Sequence, residues 1–395
     1  MRARNEQDSR HAFTLVYSMV AITALCALVS LGVDLGRVQV VKTELQRAAD
    51  AAARYAANGI SQGVSAVEDR AITAAADNTA DGSPVALDRS ADIEFGTWDA
   101  AAKTFTPLSG AVRSTANAMR ITARRTAARG NAVPLFFAKV LGRETCDVSA
   151  SSIALFTPGT PGGAVGLTSI TIRNSAFIAS YNSSVTTTPT QAGANSNGGM
   201  ASNGTISGQN NNLLKGTVTL GPDGAINGVT ITGGTNHLPV NIPAPNLPTW
   251  SPAANPGGVS QNYTVNANTT LAGGTYWFTS LTLNKNLSFS GIATLIVNGN
   301  ILLDGSLTAF NRIPSNLMVY QLGSGRTFCD DKNNLDATAV IVAPGADFTT
   351  KNNFVVRGDM TFNSIDARNG FEMYYDEALS RAGTAAGVPT ISLVR

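Results

Sequence analysis

A cluster of charged side chains in the C-terminal half carries residue types that could do chemistry. Paired carboxylates beside a base are what glycoside cleavage requires, and clustered oxygens also suit Ca²⁺. Lys332 and Leu335 interrupt the alternate-position spacing of a calcium loop. The pattern therefore favours a solvated loop, and we predict no catalytic and no metal-binding residue. The cluster consists of Arg326, Asp330, Asp331, Lys332 and Asp336.

Other catalytic motifs lack the residues or the context that they need. The chain has two histidines, which excludes a zinc site built on several histidines. His237 lies in a Gly- and Pro-rich turn, where catalysis is not expected. Residues 147–151 spell D-x-S-x-S, the metal-site motif of von Willebrand A domains, but "GRETC" stands where a buried apolar strand should precede it. We predict an ordinary strand there and no cofactor.

Four arginines form a basic patch that could bind phosphate or a lipid headgroup. The alternative is a solvated strand face, which the alternation of apolar and polar residues around Ile121 favours. The chain has 28 Lys+Arg against 26 Asp+Glu, so no basic excess points to nucleic acid. Only 14% of residues are charged, against about 25% in typical domains, which is typical of repetitive β structure or surface proteins. The patch consists of Arg120, Arg124, Arg125 and Arg129.

The elements that must position these residues begin with a segment, Ala12–Val33, that has no Asp, Glu, Lys or Arg. About 20 apolar residues span a bilayer, whereas a secretory h-region has about 7–15. A cleaved signal, with its site at residues 24–26, remains an alternative. Prepilin-type cleavage before Phe13 is another, although Ala12 replaces the usual Gly and Tyr17 the usual Glu. We predict an uncleaved, single-pass anchor in the lipid bilayer.

Helical periodicity continues beyond the anchor. Apolar residues recur every three or four positions, and Asn58-Gly59 is a plausible C-terminal stop. Basic residues flank the anchor on both sides, so the positive-inside rule does not decide its orientation; a long following domain translocates regardless of charge. One helix is therefore predicted to leave the membrane and continue in water. The periodic positions are Leu35, Val38, Val41, Leu45, Ala48, Ala52 and Tyr55.

A fixed pattern joins the end of the anchor to this helix. It reads Gly-x-Asp-x-Gly-Arg, then Glu-Leu-Gln, then Ala-Ala-Asp-Ala-Ala, and it resembles the TadE/TadG-like proteins of Tad (Flp) pilus assembly. The resemblance extends through "IEFGTWDAAAKTFTP" and "ANAMRITARRT" to "VPLFFAKVLGRETCDVSASSIALF". The pattern falls on Gly32, Asp34, Gly36, Arg37, Glu44, Leu45, Gln46, Ala48, Ala49, Asp50, Ala51 and Ala52.

The resemblance implies a membrane-anchored, non-enzymatic structural component of a Tad/Flp-type pilus assembly or a related surface system. Its partners would be pilus or secretion-system proteins, or a second copy through the N-terminal helix. It would sit in the bacterial inner membrane with its C-terminal bulk in the periplasm or at the cell surface. In that oxidising space Cys146 and Cys329 are a possible disulfide, provided that their Cα atoms lie within about 7 Å.

Short patterns behind the anchor predict a pilin-like α+β domain. Residues 65–77 read as a second Ala-rich helix. Residues 92–99 alternate as a strand, and "KTFTP" could return as its hairpin partner. "AMRITARR" and "CDVSASSIALF" read as further strands, whereas residues 134–142 read as a short helix that starts at Pro134 and ends at Gly142.

The C-terminal half changes to short alternating segments separated by Gly, Asn and Asp turns. Because no helical stretch separates them before Asp376, βαβ units are excluded, and a sandwich, a barrel or a solenoid remains. The short, closely spaced strands and the Asn, Ser and Thr turn residues favour a right-handed parallel β-helix. The segment from His237 to Gly258 has six prolines and is predicted to be an excursion on the surface.

The end of the chain resembles the β-helical region of some bacterial envelope and pilus-associated proteins. The resemblance depends on Pro344, Ala346 and Phe348 in an Ala-Pro-x-Ala-x-Phe turn and on the closing "YDEAL" at residues 375–379. The predicted domains are a tail and anchor (1–33), a pilin-like α+β domain (34–156), a linker (157–168), a β-helix (169–379) and a C-terminal tail (380–395).

Two other functions remain open. A β-helical surface adhesin could bind glycans through exposed aromatic residues and neighbouring Asn side chains, although these aromatics could equally be packing residues. A β-helix that degrades polysaccharides would use the cluster around Asp331. The candidate glycan-binding aromatics are Trp250, Tyr263, Tyr276 and Trp277.

Overall fold

The structure, a computed structural model, describes residues 3–159, 161–251, 261–379 and 390–394. The chain divides into two compact units. The first comprises Met1–Phe156 together with Ile391–Arg395, and the second comprises Thr157–Thr390. The first unit combines helices with an antiparallel sheet, whereas the second is built from parallel strands.

Helix α1 (Ala3–Ala57) changes from exposed to buried along its length. In its first half the side chains of Tyr17 and Val29 are 76% and 67% exposed, although both are apolar in character. In its second half one face, from Val41 to Ala57, is buried in the first unit. Within the described residues α1 is the one helix long and apolar enough to cross a membrane, with a mean hydropathy of 2.1 in its most apolar window.

The rest of the first unit packs on the buried half of α1. Helix α2 (Val64–Ala76) follows after a 3₁₀ turn, and strands β8, β5, β3 and β4 form an antiparallel sheet in that order. Alanines 48, 49, 52, 53 and 56 of α1 are completely buried, so their small side chains bring the helix backbone close to its neighbours. The strands are β1 (Thr79–Ala80), β2 (Ser83–Pro84), β3 (Ile93–Asp99), β4 (Thr104–Leu108), β5 (Ala118–Arg125), β6 (Val133–Pro134), β7 (Thr145–Cys146) and β8 (Val148–Thr157).

The predicted helix over residues 134–142 is wrong. Val133–Pro134 forms the short strand β6, and only Ala138–Leu141 is helical, as a single 3₁₀ turn. The turn ends at Gly142, whose φ of 78° is the left-handed conformation that glycine adopts without strain. An apolar run of this length is too short to form an α-helix without a partner face, and here the backbone is held by other contacts.

Over its described residues the second unit contains nineteen strands in one sheet. They are β9 (Ala164–Arg173), β10 (Phe177–Tyr181), β11 (Gly198–Ser202), β12 (Thr205–Gln209), β13 (Leu213–Leu214), β14 (Gly216–Leu220), β15 (Ala225–Asn227), β16 (Thr230–Ile231), β17 (Gly234–His237), β18 (Gln261–Val265), β19 (Thr269–Leu271), β20 (Gly274–Leu283), β21 (Leu287–Phe289), β22 (Ala293–Val297), β23 (Ile301–Leu303), β24 (Leu307–Thr308), β25 (Leu317–Gln321), β26 (Arg326–Ala367) and β27 (Glu372–Asp376).

A last strand, β28 (Thr390–Val394), lies beside β8 at the edge of the first unit's sheet. From the sequence, residues 380–395 are predicted to be a C-terminal tail. Residues 380–389 lie outside the described residues, but Thr390–Val394 is a strand. Ile391 and Leu393 pack against the core of the first unit, and this apolar contact explains why the segment is held there.

Strands of the second unit pair in parallel at a recurring interval. The pairs Asn262–Ser280, Asn266–Asn284 and Thr270–Ser288 each join side chains 18 residues apart. Because strand side chains alternate, each strand turns one face inward. The inward apolar side chains form one continuous core, and the parallel strands close around it.

Neighbours at one point of this sheet come from opposite ends of the unit. Ala164 of β9 lies opposite Met360 of β26, and Phe177 of β10 lies opposite Glu372 of β27. On their other side β9 and β10 pair with β12 and β13. The first strands of the unit are therefore interior to the sheet, and the chain order differs from the spatial order.

From Leu238 to Ser251, where its described part ends, the Pro-rich segment lies outside the strand ladder, whereas its first predicted residue, His237, ends β17. Leu238 and Ile242 are buried against a cluster formed by β9 and β11. Further on, Trp250 contacts Trp277 of β20 edge to face at 5.5 Å. The segment therefore covers the outer surface between early and late strands instead of projecting into solvent.

An asparagine ladder follows one corner of the strands, at turn positions of the kind that favoured a parallel β-helix from the sequence. Side-chain amides connect Asn210 to Asn174 (2.9 Å), Asn174 to Asn369 (2.6 Å), Asn369 to Asn352 (2.7 Å) and Asn352 to Asn333 (2.7 Å). The ladder joins the early strands to the late ones. Asn174, Asn210 and Asn369 also have positive φ, which asparagine tolerates better than most residues.

Asn174→Ala is expected to lower the free energy of unfolding by about 2 kcal/mol, because it removes two ladder hydrogen bonds and places alanine, which tolerates the left-handed region less well than asparagine, at φ near 52°. Asn174→Gly is the matched control: it removes the bonds but relieves the backbone, so its loss should be smaller. Urea unfolding of the full chain in detergent, followed by far-ultraviolet circular dichroism, measures both. Unchanged midpoints for both variants would show that the ladder does not stabilise the unit.

Candidate functional site

The pattern residues at the end of the anchor divide into covered and uncovered positions along α1. A Cβ atom added to Gly32 or Gly36 would meet nothing within 4 Å. Asp34, between them, is only 4% exposed. The two glycines therefore leave part of the helix surface open at the height where Asp34 contacts the first unit.

Asp34 holds the loop that follows β6. Its carboxylate accepts hydrogen bonds from the backbone N–H groups of Phe136 (2.8 Å), Phe137 (3.0 Å) and Ala138 (2.7 Å). Burial alone would raise the pKa of Asp34, but these three donors and the nearby Arg37 charge outweigh it, so the pKa lies below its usual value. The carboxylate therefore satisfies three backbone donors more than 100 residues away in sequence.

Arg37 and Glu44 bind the segment after α2. Arg37 pairs with Asp81 at 2.9 Å, and its guanidinium lies 4.7 Å from the ring centroid of Phe136. Glu44 accepts a hydrogen bond from the backbone N–H of Asp81 at 2.8 Å. Arg125 of β5 completes the group, 3.4 Å from Asp81. Asp81 thus connects α1 to the sheet.

The remaining pattern residues belong to the packed half of α1. Leu45 is completely buried in the core of the first unit. Gln46 donates to Asp50 one turn further on (2.8 Å) and to the carbonyl oxygen of Ser151 in β8 (3.1 Å). All eight predicted site residues therefore lie on one helix, where six of them have contacts and the two glycines are open.

Asp34→Ala is expected to expose the amides of residues 136–138. Hydrogen–deuterium exchange of this segment should become roughly tenfold faster at pH 7, because three donors lose their acceptor. Since the pKa of Asp34 is lowered in the folded protein, its contribution is present above the unfolded pKa of about 3.9 and is lost as the pH falls through the lower folded value. The difference between wild type and variant should therefore shrink below about pH 4.

Asp50→Asn is the matched control for this measurement, because Asp50 lies on the same helix and accepts a bond within it. Its exchange at residues 136–138 should equal that of the wild type. Equal exchange in Asp34→Ala and wild type at pH 7 would refute the proposed anchoring of the loop.

The arginine patch is neutralised by neighbouring carboxylates. Asp92, which is completely buried, pairs with Arg124 at 3.0 Å and Arg129 at 2.5 Å. Arg120 forms a two-bonded pair with Glu94, and these bonds lower the pKa of Glu94 despite its partial burial. The arginines of the patch therefore form ion pairs within the first unit, and these pairs, instead of an external phosphate, neutralise their charges.

The candidate catalytic cluster is only partly described. The side chains of Asp330, Asp331 and Lys332 lie outside the described residues. Asp336 forms an ion pair with Arg357, a residue that the sequence analysis did not consider. His237 is exposed on β17. Among the described residues no group of three or more His, Cys, Asp or Glu side chains could hold a metal ion.

The candidate glycan-binding aromatics pack against the protein. Trp277 is 7% exposed and contacts Trp250. Tyr263 stacks on Phe278 at 4.6 Å, and Tyr276 donates its hydroxyl to the carbonyl oxygen of Ala272. These side chains form contacts within the second unit instead of an open platform for sugars.

The two cysteines of the possible disulfide belong to different units, and their pairing stays a prediction. Cys146 is a half-buried free thiol of the first unit. Cys329 is 0% exposed and belongs to the hydrophobic core of the second unit. Because its sulfur is buried, Cys329 could reach another thiol only if that core opened.

Sequence reasoning missed two functional partners of α1, namely Asp81 and the loop with Phe136 and Phe137. Two adjacent phenylalanines that follow Pro134 and Leu135 were the available indication, but the pattern there predicts a short helix. Phe136 and Phe137 are 61% and 46% exposed, although such residues are usually buried.

Two protein-family models match the N-terminal part of the chain. The model described as Flp pilus-assembly TadE/G-like matches residues 12–59, and the model described as Tad-like Flp pilus-assembly matches residues 43–154. The resemblance to TadE/TadG-like proteins is therefore confirmed for this part. No curated protein and no solved structure matches the chain at a significant level.

Proposed function

We propose that the protein is a membrane-anchored, non-enzymatic structural component of a Tad/Flp-type pilus assembly or a related surface system. Residues 1–33 form a cytoplasmic tail and an anchor that crosses the bacterial inner membrane once. The rest of the first unit and the whole second unit then lie in the periplasm or at the cell surface. The pilin-like α+β domain comprises residues 34–156, and the linker predicted at 157–168 leads to the β-rich domain, although its last five residues belong to β9 (Ala164–Arg173).

The observation that carries this proposal is the change of burial along α1. The uncharged segment Ala12–Val33 exposes apolar side chains such as Leu15 (69%) and Val20 (64%), whereas the later part of α1 is packed in a folded unit. Exposed apolar surface of this extent is unfavourable in water, at about 25 cal/mol per Å². A bilayer removes that cost, and the matching pilus-assembly family models supply the biological context.

The second unit is proposed to be a right-handed parallel β-helix of residues 169–379. Support comes from the 18-residue interval between paired side chains, the short strands and the asparagine ladder. The right hand is expected because parallel strand crossovers are almost always right-handed. Such a module adds length and surface to an envelope protein, because each turn needs only its neighbours for stability.

A structural function also agrees with the state of the charged residues. Among the described polar groups that were considered for catalysis, Asp336 forms an ion pair with Arg357 and His237 lies on an exposed strand. The proposed partners are pilus or secretion-system proteins and a second copy of the chain. Gly32 and Gly36, four residues apart and uncovered, allow another helix to approach α1 closely.

Fractionation of cells that express the full chain tests the proposal. The protein should remain in the membrane after carbonate extraction, and protease added to spheroplasts should digest both units. A cytoplasmic enzyme in the same cells is the control for intact inner membranes. Recovery of the full-length protein in the soluble fraction, or complete protection from protease in intact spheroplasts, would overturn it.

A further inference from the structure

The loop after β6 presents an unusual apolar surface. Phe136 and Phe137 are 61% and 46% exposed, whereas the preceding Leu135 is only 9% exposed. Two adjacent exposed aromatic rings are rare on a soluble domain unless they contact something else. The exposed rings therefore need an occupant outside the first unit's own core.

The height of this loop along α1 is fixed by Asp34. The carboxylate binds three successive backbone N–H groups of the loop, residues 136–138. Asp34 directly follows the uncharged segment Ala12–Val33. Since a helix rises about 1.5 Å per residue, the loop backbone lies within about one helical turn of the end of that segment.

The residues around the two rings have the composition of a membrane interface. Lys139 is exposed on this loop and Arg143 directly after it, and long basic side chains can keep their charge among headgroups while their stems lie deeper. Arg37 covers one ring, that of Phe136, at 4.7 Å and is itself paired with Asp81. Phe136 stays 61% exposed despite this contact and Phe137 is 46% exposed, so both rings are open, and a label at residue 137 leaves the contact of Arg37 with Phe136 intact.

We propose that the loop Leu135–Gly142 is seated in the membrane interface at which α1 emerges. Phe136 and Phe137 lie at headgroup depth, as aromatic residues do at the ends of membrane spans. Asp34 is the positioning residue that fixes the loop at this height. The first unit is thereby held against the bilayer surface at two points, the helix and the loop. This inference rests on the proposed function, because it requires that α1 span the membrane.

A fluorophore sensitive to its environment tests this placement in the full chain. Phe137→Cys carries the label in a background with Cys26→Ala and Cys146→Ser, while the buried Cys329 is kept. The labelled protein is reconstituted into phosphatidylcholine–phosphatidylglycerol vesicles and quenched by nitroxide lipids or by aqueous iodide. Quenching at residue 137 should be at least about threefold stronger with nitroxide lipid than with iodide.

Two control labels separate failure of the loop from failure of the anchor. Val29→Cys lies in the span and is 67% exposed. The second control label is Val112→Cys, at a position where valine is 52% exposed. The next residue, Arg113, pairs with Glu68 near the other end of the first unit's helix pair. Quenching by lipid at 29 and 137 but not at 112 supports the inference.

The other outcomes overturn it in distinguishable ways. Lipid quenching at 29 with iodide quenching at 137 leaves the anchor standing and refutes the loop placement. Protection of 137 from both quenchers means that protein covers the loop, as in an association of two copies, and also refutes it. Lipid-independent fluorescence at 29 refutes the membrane anchor and the loop placement together.

Discussion

Replacing Phe348 by alanine is expected to lower the free energy of unfolding of the second unit by about 3–5 kcal/mol. Phe348 is 0% exposed, and its ring centroid lies 5.0 Å from that of Phe362 and 5.4 Å from that of Phe354. Phe328 and Phe371 follow at 6.0 Å. The truncation leaves a cavity surrounded by four rings, and rings inside closely stacked strands cannot collapse into it.

Urea unfolding of the full chain in detergent, monitored by far-ultraviolet circular dichroism, measures this loss. Ile292→Ala is the matched control, because Ile292 belongs to the same unit but is 68% exposed. It should change the stability by no more than about 0.5 kcal/mol. A loss below about 1 kcal/mol for Phe348→Ala would contradict the close packing of Phe348 against the four neighbouring phenylalanine rings.

Placing two arginines in the anchor, Val20→Arg with Ala24→Arg, is expected to abolish membrane integration. Each arginine near the centre of a span costs about 2.5–3.5 kcal/mol on the insertion scale. Two together exceed what the remaining apolar residues of this segment offset. The variant should move from the carbonate-resistant membrane fraction to the soluble fraction or be degraded.

The matched control adds the same charge beyond the membrane. Val40 and Thr43 are exposed on the later part of α1, so Val40→Arg with Thr43→Arg should leave the protein in the membrane. Both variants are compared by immunoblotting of carbonate-washed membranes. Equal retention of the two double variants would place the span elsewhere than residues 20–24.

The local elements of the first unit were predictable because their patterns are local. The apolar run, the 3.6-residue periodicity and Asn58-Gly59 predicted a long helix, and α1 ends at Ala57. Alternating residues predicted β3, β5 and β8. The helix predicted over residues 134–142 was wrong because the conformation of this segment depends on Asp34, a residue distant in sequence.

The candidate site was predictable in its residues but not in its contacts. The family pattern selected Asp34, Arg37 and Glu44, and the structure places all three against other parts of the first unit. Their partners, above all Asp81, follow no short pattern. An ion pair or a hydrogen bond between segments dozens of residues apart depends on the whole fold. From the sequence alone, any of several carboxylates could have been the partner of Arg37.

By itself the sequence determined the long apolar segment near the N-terminus, the helix that continues it, the pilus-assembly resemblance and the short alternating strands. These features depend on residues within a few positions of one another. Only the tertiary structure decided which strands are neighbours, as where Phe177 lies opposite Glu372, and that Cys329 is buried. Parallel strands with similar alternation can pair in many orders with similar local energies. The choice among them is made by the packing of the complete core, in which residues nearly 200 positions apart meet.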